Sequence, residues 1–175
     1  DVHTGGDLAF LVGILKALLS RPGGVDRDFV DANTDGFATV ATHARETTWE
    51  AITAESGLTR DRIEAFARLL VDRPKTIFVW SMGLTQHAHG VDTIQALVNV
   101  ALARGWVGRE KTGLMPIRGH SGVQGGAEVG CAPGLDDEQR RRFEQDWGFA
   151  APAWPGLTAA EMVDAAFRGE YPLPV

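Results

Sequence analysis

The run Thr76-Ile77-Phe78-Val79-Trp80 constrains the fold of this chain more than any other stretch. It follows Arg73-Pro74, is β-branched and aromatic, and lacks the polar alternation of a half-solvated strand, so it reads as a strand buried on both faces of a parallel sheet. Ser81 through His87 then leads into a helix around Val91 to Ala103 whose apolar residues cover nearly all sides, which makes an interior βα unit. One parallel strand cannot satisfy its own hydrogen-bonding edges, and no second strand is convincing in the sequence. The expected fold is therefore α/β: a helix-rich fragment of a parallel-sheet, dinucleotide-binding-like domain with few strands. Its missing partners are expected in other parts of a larger enzyme or in strands that the pattern hides.

Helical spacing accounts for much of the rest. Leu8, Leu11, Val12, Leu15, Leu18 and Leu19 mark a first helix, with Thr4 and Asp7 as a capping-box-like start and Arg21-Pro22-Gly23-Gly24 as a stop. Val25 to Val30 reads as a short helical turn, Asp31 to Gly36 as a polar connection, and about Arg45 to Ala54 as a helix. From Thr59 a firmer helix puts Ile63, Phe66, Ala67 and Leu70 on one face and stops near Asp72. After a long loop from about Gly105 to Leu135, a charged helix spans Asp136 to about Trp147, with Phe143 and Trp147 as an inward i, i+4 pair. Another helix starts at Thr158, where Glu161 is placed for a capping box.

With 175 residues, 44% of them hydrophobic, the chain is long enough for one globular domain. A net charge of −6 argues against a nucleic-acid footprint and against a polybasic membrane surface. No apolar run approaches the roughly twenty residues of a membrane-spanning helix, so no membrane partner is expected. Cys131 is the only cysteine; it excludes an internal disulfide and any iron-sulfur cluster held by cysteines of this segment alone, and it reads as a buried, inert thiol in a reducing, cytoplasmic setting. Arg104, Arg109, Lys111 and Arg118 surround one acid, Glu110, in a local positive island that would steer an anion.

Two stretches carry side chains suited to a ligand. In open α/β sheets ligands sit beyond the carboxyl ends of strands, which is where Ser81 through His87 falls. There Gly83 permits tight passage of the backbone, Gln86 donates and accepts through one amide, and Met82 offers a soft apolar surface to a planar ring. The bland alternative is an ordinary strand-to-helix turn, with Gln86 exposed and Met82 in the core. The second stretch runs from Pro116 to Gly130, where Gly119, Gly122, Gly125, Gly126 and Gly130 alternate with Arg118, His120, Ser121 and Gln124. Such glycines allow positive φ and close backbone approach, and Arg118 adds a charged fork for a phosphate or carboxylate. A compact surface loop without a ligand is the alternative. The stretch is neither a Walker A loop nor a strand-led dinucleotide fingerprint. His87, His89 and His120 lack the companions of a zinc site, and His87 and His89 read as satisfied polar residues at a helix start, so no metal ligand is assigned.

Met82 to Gly90, the helix end Ala101-Leu102-Ala103-Arg104-Gly105, and Pro116 to Gly125, in that order, resemble the molybdopterin oxidoreductase family, most closely its formate-dehydrogenase-like catalytic subunits. Asp28-Phe29-Val30, Thr34 to Phe37 and Phe143 to Gly148 extend the resemblance over nearly the whole chain. It implies that residues 1–175 are part of one domain of a larger enzyme that binds molybdopterin guanine dinucleotide. In this family a molybdenum or tungsten ion is held by two such cofactors, and a 4Fe-4S cluster lies elsewhere in the parent protein. By resemblance Met82, Gly83, Gln86, Gly119, Ser121 and Gln124 are cofactor-binding and Arg118 and His120 catalytic, Arg118 toward an anion and His120 as a proton relay. The expected partners are a small-molecule redox substrate, the remaining domains of the parent chain and an electron-transfer subunit. Many relatives have two consecutive asparagines where this chain has Ser121-Gly122, and often Gln where it has His120, which leaves the substrate open between formate and another small molecule. The competing reading is a noncatalytic protein-interaction module that uses the glycine stretch as a contact.

Overall fold

The computed structural model describes residues 1–120, 122–129 and 131–170, which fall into two compact units, Asp1–Gly119 and the remainder from His120. The first unit is a helical bundle with a small sheet on its flank. Helix α1 (Asp7–Leu19) lies at its centre and packs against α3 (Phe37–Glu46), α4 (Trp49–Ser56), α5 (Arg60–Asp72) and α7 (Gly90–Ala103), while α2 (Arg27–Asn33) packs on α7. Ile14, Leu18, Ile52, Ile63 and Val100 are almost wholly removed from water and form the heart of the core. The approach of α1 to α4 and α5 depends on Gly13: a Cβ there would sit 2.8 Å from Ile52 Cγ2 and 3.2 Å from Ile63 Cγ2. A larger residue would have to displace two stiff, buried, β-branched side chains.

The sheet has two strands, β1 (Ile77–Trp80) and β2 (Gly113–Pro116), paired in parallel with Ile77 opposite Gly113 and Trp80 opposite Pro116. Phe78, Trp80 and Leu114 pack on the helical core, whereas Ile77, Val79 and Met115 are about half exposed. The expectation of a strand buried on both faces is therefore corrected: in this chain helices cover one face only. The helix-rich α/β architecture itself is as expected, with a second parallel strand inside what reads as a long loop.

Trp106 fixes the sheet to the bundle. Helix α7 ends in a Schellman motif, with Trp106 N–H donating to Ala101 O at 2.9 Å and Gly105 N–H to Leu102 O at 3.0 Å, and Gly105 takes the left-handed φ of 65° that this end requires. The turn drives the Trp106 ring into the core, where it is 1% exposed, meets Phe78 edge-on at 5.3 Å and donates from Nε1 to Pro74 O at 2.8 Å. The end of α7 is thus bound to the residues that lead into β1.

Several local expectations need correction. Gly6, not Thr4, precedes α1, and no side chain caps it; Asp7 is already helical. The connection after Val30 is helical as far as Asn33, and Asp26 caps the start of α2 by accepting from Phe29 N–H at 3.0 Å. The expected helix from Arg45 to Ala54 is instead two helices, α3 and α4, divided where Thr47 and Thr48 turn extended and the Thr48 hydroxyl caps α4. Val91, at the start of α7, is exposed rather than part of an all-round apolar surface.

In the second unit α8 (Val123–Glu128) lies within the glycine stretch, followed by α9 (Asp137–Trp147) and α10 (Ala159–Phe167). Both expected starts hold, since Asp136 with Gln139 and Thr158 with Glu161 form reciprocal capping boxes. Thr158 N–H donates to Glu161 at 2.7 Å and holds that carboxyl below its usual range. Phe143 and Trp147 do stack, at 4.7 Å, and Phe149 continues the stack, but Trp147 is 59% exposed, so the pair is not an inward one.

Candidate functional site at the carboxyl ends of the strands

Because β1 and β2 run parallel and in register, the residues that follow each strand emerge side by side. Ile117 N–H donates to Trp80 O at 2.7 Å, and the Ser81 hydroxyl donates to Ile117 O at 2.8 Å. The next residues also meet: Met82 Cε lies 3.0 Å from the point a Cβ on Gly119 would occupy. Two sequence motifs some thirty-five residues apart are thereby joined, with the Met82 thioether lying over the bare Gly119 backbone. A β-carbon at that position would press on Met82.

Met82 opens the short helix α6 (Met82–Thr85) and is 45% exposed, so it is not the core residue of the bland alternative. Gln86 is exposed at the end of that helix, and its Nε2 lies 3.6 Å from Met82 Sδ. His87 Nε2 bonds to Gly83 O at 2.7 Å, which satisfies it locally, and His89 stands 3.6 Å from Asp92 at the start of α7. Gly83 is helical, exposed, and would meet nothing if it carried a Cβ; the idea that the backbone needs glycine there for tight passage is corrected. Its absent side chain leaves bare backbone facing open space.

The same holds for three glycines of the glycine stretch, whereas Gly130 lies outside the described residues. Gly122, Gly125 and Gly126 meet nothing within 4 Å, and neither they nor Gly119 adopts positive φ, contrary to the expectation from sequence. Gly125 and Gly126 instead lie in α8, where each is a poorer helix former than alanine. Arg118 is exposed, and none of the ion pairs among the described residues involves it. His120 and Gln124 are exposed and belong to the second unit, whereas Ser121 lies outside the described residues.

The positive island proves mostly structural. Arg104 is buried and donates to Gly23 O, Gly24 O and Leu70 O, and burial lowers its pKa. Arg109 pairs with Asp26 at 2.6 Å and lies over the Phe29 ring, and Lys111 stands 3.4 Å from Glu110. Asp26 is held below the usual carboxylate range, first by the Phe29 N–H and then by Arg109. Of the four cations Arg118 alone makes none of these contacts among the described residues, and the exposed Lys111–Glu110 pair is a weak one. Cys131 is exposed, not buried, and no group of three or more His, Cys, Asp or Glu among the described residues is arranged to hold a metal ion. No helix among them is long and apolar enough to cross a membrane.

Sequence reasoning placed Ser81 after the strand but gave it no role, and it missed β2. The first looks like any residue after a strand, and the second is a four-residue segment between glycine and proline.

No family model matches the chain. It is 33% identical to Protein YdeP of Escherichia coli K12 over 97% of its own length and 24% of that protein. It is 31% identical to an "Uncharacterized oxidoreductase" of Mycobacterium tuberculosis H37Rv, over 97% of this chain and 22% of that one. It is likewise 31% identical to the Bacillus subtilis protein named "Putative formate dehydrogenase YrhE", over 95% of this chain and 18% of that one. The chain thus spans a quarter or less of the curated relatives it matches, and it is similar over nearly its whole length to proteins named as oxidoreductases.

Proposed function

We propose that this chain is the cofactor-cradling portion of an oxidoreductase that uses molybdenum or tungsten bound by two molybdopterin guanine dinucleotides, similar to formate dehydrogenase. The observation that carries this reading is the juxtaposition of Met82 and Gly119 at the carboxyl ends of adjacent parallel strands, the place where α/β sheets receive ligands. The residues present fit such a group. Met82 offers a polarizable face to a flat ring, Gln86 presents an exposed amide able to read a pterin or guanine edge, and Gly83 leaves backbone open to close approach.

When bound, the metallocofactor supplies the two-electron chemistry. The protein's part is to bind and orient it. Met82, Gly83, Gln86 and Gly119 would hold the organic moiety, and the exposed Arg118 guanidinium would attract an anionic substrate or a cofactor phosphate. Ser121 and Gln124 as cofactor ligands, and His120 as the proton relay, rest on the sequence resemblance. The 4Fe-4S cluster, the electron-transfer subunit and the other domains belong to the same proposal for the parent protein.

Gln86→Ala tests the reading. Pterin released by acid, measured by fluorescence, and metal per chain should both fall in the variant. Unchanged content would remove Gln86 from the site. The second reading, an interaction module, draws on the exposed Trp147 and Phe149, which stack in line with the half-buried Phe143, and a wild-type protein devoid of pterin and metal would favour it.

A further inference from the structure

We infer that Ser81 is a positioning residue, whose hydroxyl ties the carboxyl end of β1 to that of β2 and so keeps the Met82 thioether seated over Gly119. The inference rests on the reading above for its functional consequence, although its structural part stands separately. The ladder ends here: its last backbone bond among the described residues is Ile117 N–H to Trp80 O at 2.7 Å. One residue further on, the only crossbar among the described residues is the Ser81 Oγ–H to Ile117 O bond at 2.8 Å.

Ser81 itself is extended, with φ −143° and ψ −156°, and its carbonyl accepts from Leu84 N–H at 3.1 Å as α6 begins. The residue therefore connects three things: the end of β1, the segment Ile117–Gly119, and the helix that carries Met82 and Gln86. Methionine has three rotatable side-chain bonds and takes its place from its surroundings. With Gly119 beneath its methyl and Gln86 Nε2 3.6 Å from its sulfur, Met82 keeps this position only while the two bends stay at their present separation. Without the hydroxyl, the Ile117 carbonyl turns to water, Gly119 drifts from Met82, and a planar guest loses a defined floor.

Ser81→Ala and Ser81→Thr test this in the full chain labelled with methionine carrying a ¹³C methyl group. Ser81→Ala should weaken the nuclear Overhauser contact between the Met82 methyl and the Gly119 α-protons and move the methyl resonance toward that of a freely rotating methionine. Threonine, which keeps the hydroxyl, should restore both. Pterin should be lost during dialysis roughly fivefold faster from the alanine variant, as for one lost hydrogen bond, and at the wild-type rate from the threonine variant. A Met82 methyl unmoved in Ser81→Ala overturns the inference. A moved methyl with unchanged pterin loss overturns the link to the guest. Absence of pterin from the wild type would overturn the functional reading instead, and the methyl comparison would still decide whether Ser81 holds Met82.

Discussion

Gly13 in the bundle and Gly125 in the glycine stretch are both helical glycines, yet only one of them is required by packing. At Gly13 a β-carbon would collide with Ile52 and Ile63, whereas at Gly125 it would meet open space. Folding explains the first. The second costs helix stability and gains the fold nothing; Gly83 and Gly126, also helical, stand in the same relation to their surroundings, and Gly122, in the turn before α8, likewise faces open space. Residues that the fold does not need are where a guest's requirements can show; under the proposed function, Gly83 in the first unit and Gly122, Gly125 and Gly126 in the second are such residues.

Mutations can sharpen or break this contrast. The largest effect is expected on the packed side: Trp106→Ala removes a buried ring and its bond to Pro74 and should cost about 3–5 kcal/mol in denaturant unfolding. Gly13→Ala should cost about 1–3 kcal/mol, overpacking outweighing the gain in helix propensity. Gly125→Ala should do the reverse, raising stability by up to about 1 kcal/mol while lowering the pterin content of the protein. If Gly125→Ala destabilised the protein as much as Gly13→Ala, the distinction between the two regions would be lost.

The smallest effect concerns pH. Asp26 has its carboxyl pKa depressed in the folded protein, so its contribution is fully present above the unfolded value of about 3.9 and is lost as pH falls through the folded value. Asp26→Asn retains a good helix cap but gives up the charge pair with Arg109, so it should cost about 0.5–1 kcal/mol near neutrality. The gap from wild type should close below about pH 4. Unfolding curves at several pH values measure it, and a gap that widened on acidification would contradict the assignment.

How much of this was legible in the sequence depended on where the signal resides. α1, α5, α7, α9 and α10 announce themselves through apolar spacing and, in the last two, through capping boxes that depend on four consecutive residues. α3 was obscured because Thr39, Val40 and His43 blur its face and because Thr47-Thr48 divides what reads as one helix. β2 was illegible for a different reason. Gly113-Leu114-Met115-Pro116 has no β-branched residue and is framed by glycine and proline; it is extended because β1 supplies its partners. The meeting of Met82 with Gly119 follows from that pairing. Sequence could nominate both residues for the site, but only the register of a strand it did not disclose brings them into contact.

Under the proposed function the bends after the two strands cradle a pterin-bound metal. Its most direct test is the metal and pterin content of the full-length wild-type protein purified under reducing conditions. The proposed function requires molybdenum or tungsten together with about two pterins per metal, since it invokes a bis-dinucleotide cofactor. A folded protein that contains neither, and takes up neither when cofactor is supplied, would contradict it.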